Sequence, residues 1–223
     1  VFDYDIGGGT IWIYDEITAD GYGGVSSGDV VNALRKIGDN PVSVKINSPG
    51  GSVFEGIAIY NALRDHSAPV TTSNDALAAS IASIIFLAGE ERVSAPNSFY
   101  MMHEPYSPAL GTADELRSQA DLLDTAGDTL TNIYVERTNH NVETVKSMMA
   151  METWFTADEQ IESGIASGTT RQVSIEAAPV AKTRFRNTPS ALVKDLAAGS
   201  RTPHLLKLAE LQNRLKLFKS RNR

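Results

Sequence analysis

VSVKINSPGGSVFEGIAIYNAL, residues 42–63, is the stretch from which the fold is read. Val42–Asn47 is rich in β-branched residues and reads as a strand, which runs straight into Ser48-Pro49-Gly50-Gly51. Ser52-x-x-Glu55 has the form of a capping box, and it opens a helix holding Phe54, Ile57, Ala58, Tyr60 and Leu63. A strand that enters a helix through two glycines has a chemical use. Without side chains in the way, backbone N–H groups come close to an anion or a developing oxyanion, and the helix N-terminus adds positive potential. An ordinary Gly-rich turn would be written the same way.

On either side the pattern alternates short apolar strands with amphipathic helices, which predicts an α/β class. Upstream, Thr10–Ile17 reads as a strand, Gly21–Gly24 as a turn, and Ser26 or Ser27 as the cap of a helix reaching about Ile37. Downstream, Pro69–Ser73 reads as a strand. Ala76–Gly89 has the length of a buried helix, and Arg92–Ala95 and Phe99–Met102 are short strands about a Pro96-Asn97 turn. Thr112-x-x-Glu115 caps a long helix with Leu116, Leu123, Leu130 and Ile133 in period to about Arg137. A shorter helix spans Val142–Met149, and Thr156-x-x-Glu159 caps another that stops near Gly164.

The formal charge of −7 is unevenly spread. From Lys182 onward there are eleven Lys and Arg against two acids, a net +9, while residues 1–181 carry nine basic and 25 acidic side chains, a net −16. An acidic body disfavours nucleic-acid binding there. A basic tail suggests a partner, a charged surface, or a fold back onto the body. Three regions are expected: a folded domain over 1–176, a linker over 177–203, and a basic amphipathic helix over 204–223 with Leu205, Leu208, Leu211, Leu215 and Phe218 in one stripe. No cysteine is present, so neither a disulfide framework nor a thiolate site is available. The opening VFDYDIGGGT has no signal-peptide pattern and no apolar run reaches about 18 residues, so a cytoplasmic protein without a membrane span is expected.

Two further stretches could carry chemistry. Ser80 lies among small residues, Ala78-Ala79-Ser80-Ile81-Ala82-Ser83, where a hydroxyl and its neighbour's N–H can face one spot; Ser83, nearly a helical turn on, competes for the role. Of His66, His103, His140 and His204, only His103 emerges from a strand into a loop. Taken alone, each residue reads first as structural: a small residue for close packing, a histidine at a strand end.

The joint arrangement is more specific. Asn47–Ser52, Ala78–Ile81 and Pro96-Asn97-Ser98 through Met101-Met102-His103-x-Pro105, in this order, resemble the ClpP family of self-compartmentalising serine peptidases. Trp154–Glu159 is similar to the segment around that family's catalytic acid. The likeness covers roughly residues 10–170, and the added basic tail inclines it toward the ClpP-related head-maturation proteases of tailed phages and prophages. The resemblance implies a ClpP/crotonase-like fold of stacked β-β-α units with a long handle helix. It makes Ser80 the nucleophile, His103 the base, and the Gly51 and Ile81 N–H groups the oxyanion hole. Glu152 stands where the family commonly has aspartate, and Asp158 is the alternative acid. Neither cofactor nor metal is implied. Substrates would be polypeptides, with capsid or scaffold proteins as candidates, and subunits would form rings of six or seven per layer. The family's pore loops have no counterpart in Val1–Gly9, and Ala76-Leu77 replace a usual glycine, which leaves an unfoldase ATPase partner open. Two other readings are a crotonase-fold acyl-CoA enzyme, disfavoured by the Ser–His pair, and a catalytically silent ring or scaffold subunit.

Overall fold

A computed structural model describes residues 1–19, 22–170 and 185–189. The predicted tail helix over 204–223, and most of the predicted linker, lie outside the described residues. Eight strands form one sheet: β1 (Phe2–Asp5), β2 (Thr10–Ile13), β3 (Val42–Ser48), β4 (Val70–Ala79), β5 (Glu91–Ser94), β6 (Phe99–Met102), β7 (Thr153–Thr156) and β8 (Gly168–Thr169). Six helices are described: α1 (Ser27–Ile37), α2 (Val53–Arg64), α3 (Ile81–Phe86), α4 (Ala113–Arg137), α5 (Val142–Met151) and α6 (Ala157–Glu162). The sheet runs β1-β2-β3-β4-β5-β8 and is parallel from β2 onward. On the edge away from β3, β4 serves two partners. Its first half pairs with β5, and Leu77–Ala79 pair with β6, which in turn holds β7 antiparallel.

That fork required a longer strand than predicted. Ala76–Ala79, read as the start of a buried helix, are strand, and the helix begins only at Ile81. Both faces of this strand are buried, so no polar alternation survives to mark it. Ala78, Tyr100, Met102 and Phe155 belong to the main core, while Leu77, Ala79 and Met101 form a second apolar cluster flanked by Phe99 and Trp154.

Other expectations needed correction. β2 stops at Ile13, and Ile17 makes only isolated bridges to Val25 and Gly51. Ser52 caps α2, but the Glu55 carboxylate accepts from the Ser27 N–H at 2.7 Å instead of reaching back, tying α2 to α1. Phe54 points outward, 65% exposed. The inner face of α2 is built instead on Ile59, Leu63 and Gly56, where an added Cβ would come within 2.1 Å of the Ile81 side chain. Full capping boxes do open α1 at Ser26, α4 at Thr112 and α6 at Thr156. Along α4, Leu130 is buried but Leu116 is 43% exposed, so its first half projects off the body. Among the described residues no helix is long and apolar enough to cross a membrane.

Candidate active site

The site is assembled at the fork in the sheet. β4 ends at Ala79 and α3 starts at Ile81, so the whole reversal falls on Ser80, whose φ of 57° and ψ of −131° lie in a region that L-residues rarely occupy. Such a conformation costs on the order of 1–3 kcal/mol and persists only where neighbours enforce it. Here they do. The Ser80 N–H donates to Met101 O at 3.0 Å, and its carbonyl accepts from the Ser83 N–H at 2.9 Å and from Ser83 Oγ at 2.5 Å. The first of these bonds extends the β4–β6 pairing, and two residues beyond Met101 the chain delivers His103. His103 Nε2 then lies 2.7 Å from Ser80 Oγ.

The glycine loop closes the other side. Gly50 (φ 84°) and Gly51 (φ 152°) need their missing side chains. A Cβ on Gly50 would stand 2.6 Å from Ala79 O and 2.6 Å from Ser80 Cβ, and one on Gly51 would stand 2.0 Å from Ile17 O. Ile17 pins this loop from both ends, its N–H donating to Gly50 O at 2.9 Å and its carbonyl accepting from the Ser52 N–H at 2.8 Å. Among the described residues, the N–H groups of Gly51 and Ile81 meet no acceptor. Ile81 follows Ser80 in the chain and Gly51 lines the same recess as Ser80, so both N–H groups are candidates for the two donors that a developing oxyanion would need.

Ser83, the competing serine, is fully buried, and its hydroxyl sits between Ser80 O and the Tyr134 hydroxyl, 2.6 Å away. Burial pushes the Tyr134 hydroxyl well above the usual tyrosine range, so it stays a neutral donor. Ser83 thus braces the turn on which Ser80 sits. Of the other histidines within the described residues, His66 bonds to Asn40 O at 2.9 Å and His140 lies beyond α4, and neither lines the recess around Ser80.

Glu152 is the second non-glycine residue with positive φ, at 53°, where α5 ends and β7 begins. Its side chain is buried, at 4% exposure. Its carboxylate accepts from the Arg186 N–H at 2.6 Å, from the Asn187 N–H, and from Trp154 Nε1 at 3.4 Å; among the described residues none of its hydrogen bonds goes to His103. Asp158, the alternative acid, is exposed in the first turn of α6, where a carboxylate favours the helix dipole.

Sequence reasoning missed residues 185–188. They fall inside the stretch read as linker, yet Phe185 is 5% exposed and packs on Leu77, Ala79 and Met101. Its ring stands 5.4 Å from the His103 ring, nearly perpendicular, and 5.9 Å from Trp154. The available signal was a lone aromatic in a polar, basic stretch. Between Gly51, Ser80, His103, Tyr106 and Phe185 a recess of about 150 Å³ remains, and a larger cavity of about 540 Å³ opens on the far side of Pro105 toward α4 and α5. No cluster of metal-ligating side chains occurs among the described residues.

The Clp protease family model matches residues 9–172. The ATP-dependent Clp protease proteolytic subunit 1 of Protochlamydia amoebophila is 34% identical over 152 residues, spanning 63% of this chain and 74% of that protein. Proteolytic subunit 3 of Streptomyces coelicolor is 36% identical over 126 residues, 56% of this chain and 58% of that one. A mutant ClpP1 from Listeria monocytogenes, among the solved structures, shares the fold at a TM-score of 0.67 and 24% identity, covering 75% of this chain and 94% of its own. With the match running from before β2 to beyond β8, and so across the whole fork that carries Ser80 and His103, the chain belongs to the Clp protease family.

Proposed function

We propose that the chain is a serine endopeptidase working through an acyl-enzyme on Ser80. One observation carries the reading: the 2.7 Å contact between Ser80 Oγ and His103 Nε2, held by a strained turn. A neutral serine hydroxyl is a weak nucleophile and needs an adjacent base. As Ser80 Oγ attacks the peptide carbonyl carbon, its proton passes to His103 Nε2, the C=O π bond opens, and the negative charge left on the substrate's carbonyl oxygen is met by the Gly51 and Ile81 N–H groups. Each such donor lowers the barrier by about 3–4 kcal/mol. When the tetrahedral adduct collapses, the C–N bond breaks and the imidazolium gives its proton to the leaving amine. Water, deprotonated by the same imidazole, then cleaves the Ser80 ester. Glu152 is the group assigned to orient the imidazole and stabilise its charge.

Finer expectations follow from the family and the charge pattern. Substrates are extended polypeptides, and subunits assemble as a ring of six or seven. These relatives are named ATP-dependent Clp protease subunits, which makes an ATPase partner the natural extension to this chain. The acidic body and basic tail favour a capsid- or scaffold-cleaving protease of phage type. A fluorophosphonate probe read by intact mass tests the core of the reading. The parent should gain one adduct, and Ser80→Ala and His103→Ala should gain none. Equal labelling of Ser80→Ala would remove Ser80 as nucleophile. Absence of labelling throughout would favour the silent subunit, a reading supported by the engagement of the Glu152 carboxylate with backbone amides.

A further inference from the structure

The family match ends at residue 172, yet residues 185–188 sit against the candidate triad. Their docking is specific. Phe185 covers an apolar patch that β4, β6 and β7 present away from the main core. The Arg186 guanidinium donates to Ala150 O at 3.2 Å, the Asn187 side chain donates to Met151 O at 2.7 Å, and both backbone amides donate to Glu152. These carbonyls end α5, where a helix leaves acceptors unsatisfied and favours a cation. Thr188 Oγ1 donates back to Phe185 O at 3.2 Å, closing the segment on itself.

We propose that this patch, together with the end of α5, is a peptide-binding subsite whose resident ligand is the chain's own Phe185–Thr188 segment, and that the segment blocks the site until it is displaced. This rests on the serine-peptidase reading and adds a self-inhibitory device to it. The open space left beside Ser80, about 150 Å³, is small against the roughly 300–1,000 Å³ of pockets that enclose even small ligands. An extended polypeptide needs more. Phe185 is one wall of that recess, so its departure widens it. The charge balance points the same way: the segment belongs to the stretch from Lys182 onward that carries a net +9, and residues 1–181 carry −16. Such a segment is held by attraction that salt weakens.

The test uses the full chain, a short fluorogenic peptide and the fluorophosphonate probe. If only the open fraction reacts, Phe185→Ala should label and hydrolyse about tenfold faster than the parent. Phe185→Tyr, which keeps the ring, should stay close to the parent. A peptide of residues 184–189 added in trans should slow Phe185→Ala again, and the same peptide with Ala in place of Phe should not. Arg186→Ala with Asn187→Ala leaves the apolar patch untouched and should also accelerate labelling, which covers the case in which Phe185→Ala unfolds, as judged by its thermal midpoint. A parent that labels while the folded variants label equally or more slowly would overturn the blocking role and make the segment a support for Glu152. A parent and variants that all fail to label would instead sink the peptidase reading, and the blocking role with it.

Discussion

Ser80 and Glu152 are the two non-glycine residues with positive φ among those described, and they are held by different means. The Ser80 turn is enforced from within the family-matched domain by Met101 O, by both donors of Ser83, and by Gly50 pressed against its Cβ. The Glu152 backbone is fixed by its own helix end, through its N–H on Met149 O, but its carboxylate is held largely by residues 186 and 187 beyond that match. The proposed nucleophile and base are therefore set by sheet pairing. The proposed acid is set by a segment beyond the family match, so any regulation acting through that segment should reach Glu152 before it reaches Ser80.

Glu152→Gln strikes that contrast hardest. It keeps the shape and removes the charge, so labelling should slow by on the order of 10³ or more if Glu152 serves the imidazole. A change under about threefold, measured by probe kinetics, would leave Glu152 as an anchor for the tail segment alone. Gly50→Ala comes next. Its Cβ has no room against Ala79 O and Ser80 Cβ, and moving the loop should cost about 10² in kcat/KM, the scale of one misplaced oxyanion donor. A full-rate Gly50→Ala with unchanged circular dichroism would mean that the loop does not shape the site.

Ser83→Ala probes the brace beneath Ser80. It strands the Tyr134 hydroxyl, 1% exposed, and should lower stability by about 1–3 kcal/mol in urea unfolding. Adding Tyr134→Phe should recover part of that loss, because the two changes share one hydrogen bond. Strict additivity would show that the bond carries nothing.

The smallest effect lies on the Glu152 side, at the cap of α6. The Thr156 N–H, and then its hydroxyl, hold the Glu159 carboxyl below its usual range. A depressed carboxyl contributes stability that is present above its unfolded pKa and is lost as pH falls through the folded value. Glu159→Gln should therefore cost less than about 0.5 kcal/mol near neutrality, since solvent screens an exposed group, and the cost should shrink toward acid. A penalty that grows on acidification, in thermal melts across pH, would reverse that sign.

How far the sequence could be read depended on the range of each signal. Caps at Ser26, Thr112 and Thr156 and the β6 strand were legible because each is specified within a few residues. Ala76–Ala79 were misread because a strand buried on both faces has the same composition as a buried helix. The apolar residues of α2 did not reveal which face turns inward: Phe54 is exposed, and it is Gly56, set against Ile81, that allows the other face to approach the core.

By itself, the sequence determined the order of strand, glycine turn and helix, the α/β class, the split between acidic body and basic tail, and the small set of residues able to do acyl-transfer chemistry. Only the tertiary structure decided which of them meet. Ser80 and His103 are 23 residues apart and are joined by the register of β4 on β6, and Glu152 and Arg186, 34 apart, by the docking of Phe185 on a sheet face. Caps and turns are written in local hydrogen-bond chemistry, but the contacts that make a site arise when distant segments bury apolar surface against each other, and no short window of sequence records that choice.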